Sequence, residues 1–468
     1  MSATPDAPSL SGPQWLALGR ALHASGRHAE AVHALQQAAV QLPLAVEVYR
    51  ALVEALDASG QVADAASARI GIDAIERRRA IDLFEIGRVY ARHRQWNAAG
   101  HWLERALMID PLLGTARLCM AWVLRQLGRQ NGGARDVHRR YRREPAFARA
   151  KAATPRRTVL ILCSSGFANV PFRHLLPPAL NRVIRWVVDL GLIGRGRGHG
   201  PLPRRYDLAF NVVGDADLGV PCRQALADFA ATARAPLLNL PDRIERTTRE
   251  NIGALLQGIA GIDVPTTIRW HPAQPASVHD AIAAAGMCYP AIARPAGEHG
   301  GSGVTLLSSA ADTVAPPPGT DMYLTAYRDY RSADGYYRKY RVIFIDGEPY
   351  PYHLAIGSQW LLHYFSADML SDAWKLEEER HFLEDPRAVL GTQAWEALRR
   401  IGGRMDLDYC GIDFSLLPDG RVLVFETNAT MLVHPEVEQD GLRFKNVYIQ
   451  KIFDAFDALM RRRCAGAG

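Results

Sequence analysis

Near the C-terminus, the stretch "GIDFSLLPDGRVLVFETNAT" (411–430) sets Asp413, Glu426 and Asn428 among apolar neighbours. Glu426 and Asn428 are two residues apart, so in a strand they share a face, and the "PDG" turn brings Asp413 back onto that face. Two carboxylates and an amide oxygen are hard ligands of the kind Mg²⁺ takes, with positions left for phosphate oxygens and water. A charge beside a strand as apolar as "VLVF" is costly unless it is used. Upstream, "RPAGEHGGSGV" (294–304) surrounds His299 and Ser302 with glycines. Backbone N–H groups in such a loop converge on one anion, and Arg294 at its root supplies a planar cation, an arrangement suited to a triphosphate.

These residues need strands to hold them. The glycine loop lies between the apolar runs "MCYPAIA" and "TLL", within a mixed segment of about 265–325, and a second mixed segment runs from about 336 to 460. In the latter, "KYRVIFIDGEPYPYHLAI" and the "PDGR" stretch read as hairpins between alternating strands. "RTTRENIGALLQGIAG" reads as a helix leading into "IDVPTTIRW". Before it, "TVLILCSS" (158–165), "YDLAFNVVGD" (206–215) and "PLLNLP" (236–241) read as buried parallel strands. They alternate with "PPALNRVIRWVVDLG" and "CRQALADFAATAR", read as helices, which predicts a doubly wound α/β unit over 158–240 with Ser164, Ser165 and Asn211 at its strand ends, where ligands sit in such sheets.

The first third repeats with a period of 34 residues. Trp15, Tyr49 and Leu83 share one slot; Gly19, Val53, Gly87 and Ala121 share a small-residue slot; Gly26, Gly60, Arg94 and Gly128 fall at a turn; Ala31, Ala65 and Ala99 follow. Each unit is then a pair of antiparallel helices whose small residues allow close approach and whose apolar face the next unit covers.

The remaining composition narrows the class. At 468 residues the chain is too long for one core. A formal charge of +6 is small for that length, and arginine clusters such as "RDVHRRYRREP" lack the aromatic partners of a nucleic-acid surface. Six cysteines are scattered without metal or disulfide spacing, which predicts a reducing, cytoplasmic setting. No stretch is apolar enough to span a membrane. Neither nucleic acid nor membrane is expected as a partner.

The repeat units resemble the tetratricopeptide repeat, most closely in "WLALGRALHASGRHAEAVHALQQAAVQLP", with the fourth unit degenerate. Over about 158–460, the order of glycine loop, "YLTAYRDY", "KYRVIFIDGE" and "IDF…DG…FETN" resembles the ATP-grasp superfamily. The two resemblances imply helical repeats over 12–150, a Rossmann-like α/β pre-ATP-grasp domain over 158–240 and an α+β ATP-grasp domain over 241–465. They also imply ATP and Mg²⁺ as cofactors: Asp413, Glu426 and Asn428 on the metal, Glu298, His299, Gly300, Gly301, Ser302 and Gly303 over the β- and γ-phosphates, and Arg294 on the α- and β-phosphates. Thr325, Tyr327 and Arg328 would meet the adenine, and Arg341 the γ-phosphate and an acyl phosphate. The family usually has lysines where this chain has Arg249 and Arg294, which keeps the charge and changes its geometry. His353, His363 and Tyr364 are candidates for the substrate side.

The implied reaction is phosphorylation of a carboxylate by ATP, followed by attack of an amine on the acyl phosphate. Three functions stay open at this point. The chain ligates a peptide or protein held by the repeats; or it ligates small molecules and uses the repeats for assembly, a homodimer included; or it is a non-catalytic nucleotide-binding scaffold.

Overall fold

A computed structural model of the chain describes residues 10–92, 94–110, 113–127, 155–166, 168–190, 192–193, 205–274, 276–298, 303–314, 316, 320–362, 364, 367, 369–436 and 440–466. The chain divides into two units, one spanning Met1–Ala148 and the other most of Arg149–Gly468.

The first unit consists, among the described residues, of helices α1 (Gly12–Ala24), α2 (His28–Gln41), α3 (Val46–Ala58), α4 (Val62–Glu76), α5 (Ala80–Arg92), α6 (Trp96–Ile109) and α7 (Gly114–Gln126). Gly12, Val46 and Ala80 open successive hairpins at intervals of 34 residues, and Gly114 begins α7 one interval further on, so the helices follow the sequence repeat in register. The reason is steric. A Cβ on Gly19 would stand 2.5 Å from Leu35 Cγ, and one on Gly87 2.9 Å from Leu103 Cγ, so the small slot is where paired helices cross. Ala31, Ala65 and Ala99 are buried at equivalent points of the second helices. Gly26 and Gly60 turn the chain at φ of 78° and 75°, a conformation that glycine adopts without strain. Gly19→Val is therefore expected to destabilise this unit by roughly 1–3 kcal/mol through overpacking, read as a lower urea midpoint for its transition. A buried arginine ties distant helices: Arg105 of α6 donates to the carbonyls of Ala39 (2.7 Å) and Pro43 (3.1 Å) and to the Tyr49 hydroxyl.

Among the described residues the second unit holds three sheets. The first contains β1 (Arg157–Cys163), β2 (Asn181–Val187), β3 (Leu192–Ile193), β4 (Leu208–Asn211) and β5 (Leu237–Leu238) in the order β3-β2-β1-β4-β5. Its ladders are parallel apart from the β2–β3 pair. "CRQALADFAATAR" supplies the helix α8 (Arg223–Thr232). "NRVIRWV" does not form the expected helix: it is β2, pairing with β1 along its whole length. Leu180, Val183, Ile184 and Val187 do fall at helical spacing, but the β-branched and aromatic content of this run favours a strand once β1 is there to pair with it. Ser164, Ser165 and Asn211 are occupied within the sheet edge. Ser165 N–H donates to Asp189 (2.8 Å), Ser164 N–H to Asn169 (2.7 Å), and Asn211 Nδ2 to the Asn239 carbonyl (3.1 Å).

After a short helix α9 (Pro241–Glu245), the helix expected over 246–261 is reduced to α10 (Arg249–Leu255), and the chain leads to β6 (Ile262–Asp263) and β7 (Thr267–Trp270). Helix α11 (Val278–Ala284) and strands β8 (Ala291–Pro295), β9 (Thr305–Leu307) and β10 (Met322–Ala326) follow. The second sheet is antiparallel, in the order β7-β10-β8-β9. The third is β12-β11-β13-β14-β6, where β11 is Tyr337–Ile345, β12 Glu348–Gly357, β13 Tyr409–Leu416 and β14 Val422–Asn428. Helices α12 (Ala373–Glu384), α13 (Pro386–Leu390) and α14 (Thr392–Met405) lie between β12 and β13 in the chain. Tyr340, Val342 and Phe344 of β11 join Ile412 and Phe414 of β13 in a core with Phe382 of α12 and with Leu398 and Ile401 of α14. Alternation then turns Lys339, Arg341 and Asp413 to the opposite face.

The first and third sheets are locked together at Asn239, which is fully buried with φ of 56°. Its Nδ2 donates to the Tyr409 carbonyl (2.8 Å), its Oδ1 accepts from Tyr409 N–H (2.9 Å), and its own N–H donates to Asp408 (2.8 Å). The last helix, α15 (Asn446–Ala465), packs Phe456 against both Phe210 of the first sheet and Tyr409 of the third. Strand β13, which carries Asp413, thus starts from a fixed point.

Candidate active site

One row crosses four strands of the third sheet. His353 of β12, Arg341 of β11, Asp413 of β13 and Glu426 of β14 are successive cross-strand partners. Asp413, with no exposed surface, receives Arg341 through Nε (2.5 Å) and Nη2 (2.8 Å) and Lys339 through Nζ (2.7 Å). Burial by itself would raise the Asp413 pKa; Arg341 and Lys339 outweigh it and hold the carboxyl far below the usual range. Burial lowers the Lys339 pKa against the pull of Asp413. At the end of the row, Glu426 forms an ion pair with Arg249, the first residue of α10.

A cleft opens beside this row. Arg249, Lys339, Glu426 and Asn428 line it together with Arg294 and Glu298 from β8 and the segment after it. Arg294 Nη2 donates to the Glu298 carbonyl (2.8 Å), whereas its Nε is buried without a hydrogen-bond partner. Among the described residues no carboxylate lies within ion-pair distance of Arg294. Burial first, and the Arg249 charge second, draw its pKa well below the ordinary arginine value. Thr248 Oγ1, also in the cleft wall, is buried and unpartnered. Two unsatisfied donors beside several fixed cations make a place for an anion rich in acceptor oxygens. Much of the rest of the wall is apolar, with Ile252, Val264, Ile292, Trp360, Leu362 and Phe425, and Thr325, Tyr327 and Arg328 at the end of β10, while Asp215 and Asp217 add carboxylates. Tyr327 packs edge to face on Trp360 at 5.7 Å, and an apolar wall of this kind suits a flat ring lying against it.

Of the residues expected from sequence, Arg249, Arg294, Glu298, Thr325, Tyr327, Arg328, Glu426 and Asn428 come together in this one cleft. Arg341 and Asp413 stand behind Lys339 and do not line it. Gly303 turns at φ of 66° after the glycine loop. His299, Gly300, Gly301, Ser302 and His363 lie outside the described residues. His353 stacks on Tyr364 with ring centres 4.8 Å apart. Burial, then Arg341 and Lys445, push the His353 pKa well below that of an ordinary histidine. The Tyr364 hydroxyl donates to Glu379 (2.8 Å), which Lys445 also meets (3.2 Å).

Sequence reasoning missed Lys339, although its two-residue spacing from Arg341 places both on one strand face. It also missed Trp360 and Asp217, the latter lining the cleft while held by Arg269 (2.5 Å); nothing local in the sequence marks either.

The three expected metal ligands share a face but are all engaged. Asp413 holds two cations, Glu426 holds Arg249, and Asn428 Oδ1 accepts from Thr430 N–H (2.9 Å) and Thr430 Oγ1 (2.8 Å). Among the described residues no three His, Cys, Asp or Glu side chains cluster as a metal cage. As a set, the three oxygen groups do not fit a divalent cation in this geometry: it would have to displace Arg249 and would meet an Asp413 already neutralised.

Among the described residues no helix is long and apolar enough to cross a membrane. No family sequence profile and no curated relative matches the chain. Among solved structures, D-alanine–D-alanine ligase from Bacillus anthracis, complexed with ATP, is 11% identical with a TM-score of 0.40, covering 67% of this chain and 99% of that one. The ATP-grasp ligase PsnB, complexed with a minimal precursor, Mg and ADP, is 16% identical with a TM-score of 0.36, covering 65% and 98%. VanG D-Ala:D-Ser ligase from Enterococcus faecalis is 12% identical with a TM-score of 0.37, covering 65% and 100%. Likeness at this level assigns no family, and any function has to follow from the cleft itself.

Proposed function

We propose that the chain is an ATP-dependent ligase of the ATP-grasp kind, which activates a substrate carboxylate as an acyl phosphate for attack by an amine. The observation that carries this reading is Arg294, a half-buried cation in the cleft wall whose buried Nε has no hydrogen-bond partner and which forms no ion pair among the described residues. A polyphosphate placed between Arg294 and Arg249 supplies the missing acceptors and relieves the repulsion between the two guanidinium groups. The apolar wall beside the Tyr327–Trp360 pair then takes the base, with Thr325 and Arg328 near it. Lys339, which lines the cleft with Arg341 behind it on the same strand face, stabilises the charge that builds as the γ-phosphoryl group moves to the carboxylate. The amine next attacks the acyl carbon, its C–N bond forming as the C–O bond to phosphate breaks, and phosphate leaves with the electron pair.

The substrate we favour is a peptide or protein recognised by the helical repeats, which we take to be of the tetratricopeptide kind. Helices at a constant interval of 34 residues support a repeat that presents equivalent positions side by side. The test is ADP release from ATP in a screen of peptides and free amino acids, using the full chain and a chain lacking residues 1–150. A peptide substrate predicts that deletion raises KM at least tenfold with kcat preserved. Unchanged kinetics would instead assign a free small molecule, and absence of turnover with every carboxylate would sink the ligase reading.

A further inference from the structure

We propose that the cleft neutralises its polyphosphate with its own side chains, and that Asp413 is the buried counter-ion that positions Lys339 and Arg341 for this, so that the nucleotide binds without a divalent metal. The inference rests on the nucleotide reading above and concerns how the same cleft handles charge.

Lys339 and Arg341 hang two residues apart on one strand face, and both reach a single carboxylate. Arg341 lays two N–H groups of its fork on the two Asp413 oxygens, while Lys339 takes Oδ2 from the cleft side. Asp413 has no exposed surface and does not line the cleft, so Lys339 stands between it and any ligand there. An ammonium has three donors and Asp413 accepts one, which leaves two for phosphate oxygens. Of the cations that line the cleft, Arg249 is balanced by Glu426, Lys339 shares Asp413 with Arg341 behind it, and Arg294 forms no ion pair among the described residues. Asp215, Asp217 and Glu298 also line the cleft, but Asp217 is held by Arg269 and Asp215 accepts from the N–H groups of Asp217 and Leu218, so the donors left at Arg294 and Lys339 are what draws a polyanion. A metal bound at Asp413 would have to expel Lys339 and Arg341.

The experiment is equilibrium binding of ATP and of a non-hydrolysable analogue to the full chain, by calorimetry, once in EDTA and once in Mg²⁺. Expected is binding in EDTA within about tenfold of that in Mg²⁺. Lys339→Met is expected to weaken the EDTA affinity about tenfold and to flatten its dependence on salt, while the ratio of the two affinities stays unchanged. Asp413→Asn is expected to do the same, because its cations lose their anchor. Binding only in Mg²⁺ would overturn the inference and leave the ligase reading standing. So would an Asp413→Asn protein that keeps its EDTA affinity and loses only the gain from Mg²⁺. Binding in neither condition would remove the nucleotide reading itself. Circular dichroism of Lys339→Met, which leaves Asp413 paired with Arg341, controls for folding.

Discussion

Arg294→Met is expected to weaken ATP binding about a hundredfold and, in the same protein, to make the nucleotide-free second unit harder to unfold. Arg294 is half-buried at the root of the glycine loop, donates to one backbone carbonyl, and leaves its buried Nε unsatisfied. A charge in that position opposes folding, since desolvation and the Arg249 charge outweigh the pull of Glu298 and Asp217, neither of which forms an ion pair with it. Methionine fills similar length without charge, so stability should rise by about 1–3 kcal/mol, in keeping with other replacements of buried charges by apolar side chains. Binding moves the other way. Charge-assisted hydrogen bonds contribute about 1.5–3 kcal/mol each, and every 1.4 kcal/mol is a factor of ten in affinity. Nucleotide titration and urea denaturation of the two proteins read the two effects separately. Unchanged affinity would take Arg294 off the phosphates; lower stability would mean that the guanidinium is already balanced within the protein.

How far the site was legible depends on whether the signal was local. The helical repeat was legible because each slot is set by contacts inside one hairpin, such as Gly19 against Leu35. Strands β13 and β14 were legible through alternation and the "PDG" turn, and Asp413 and Glu426 do stand opposite each other in the ladder. What alternation does not show is the partner on the other side of a strand. That Asp413 faces Arg341 of β11, with Lys339 beside it, depends on which strand becomes the neighbour of β13 and in which register, and a bulge after Arg341 shifts the register on its other side. A carboxylate that reads as a metal ligand in its own hairpin therefore emerges as the centre of an ion cluster. Strand β2 was misread for a related reason, since its apolar residues fit a helical period and only pairing with β1 decides the matter.

Asp413→Asn should have the largest effect on stability of any single change in the third sheet, about 3–5 kcal/mol, because it leaves two buried cations without their carboxylate. The same change should also remove a specific pH dependence. In the folded protein Arg341 and Lys339 overcome burial and hold the Asp413 pKa far below that of an unfolded aspartate, which lies near 3.9. A carboxyl depressed on folding contributes its full stabilisation above the unfolded pKa. That stabilisation is lost as pH falls below about 4 toward the folded value. Wild-type stability should therefore decline steeply between about pH 4 and pH 2, and the Asp413→Asn protein should decline less over that interval, starting from its lower value. Adding Arg341→Met to Asp413→Asn removes one of the stranded cations, so the double variant should be more stable than the two single losses summed. Urea midpoints at pH 7, 4 and 2.5 for the four proteins of this cycle would test it. Strict additivity, or an acid limb unchanged by Asp413→Asn, would show that Asp413 does not anchor the two cations.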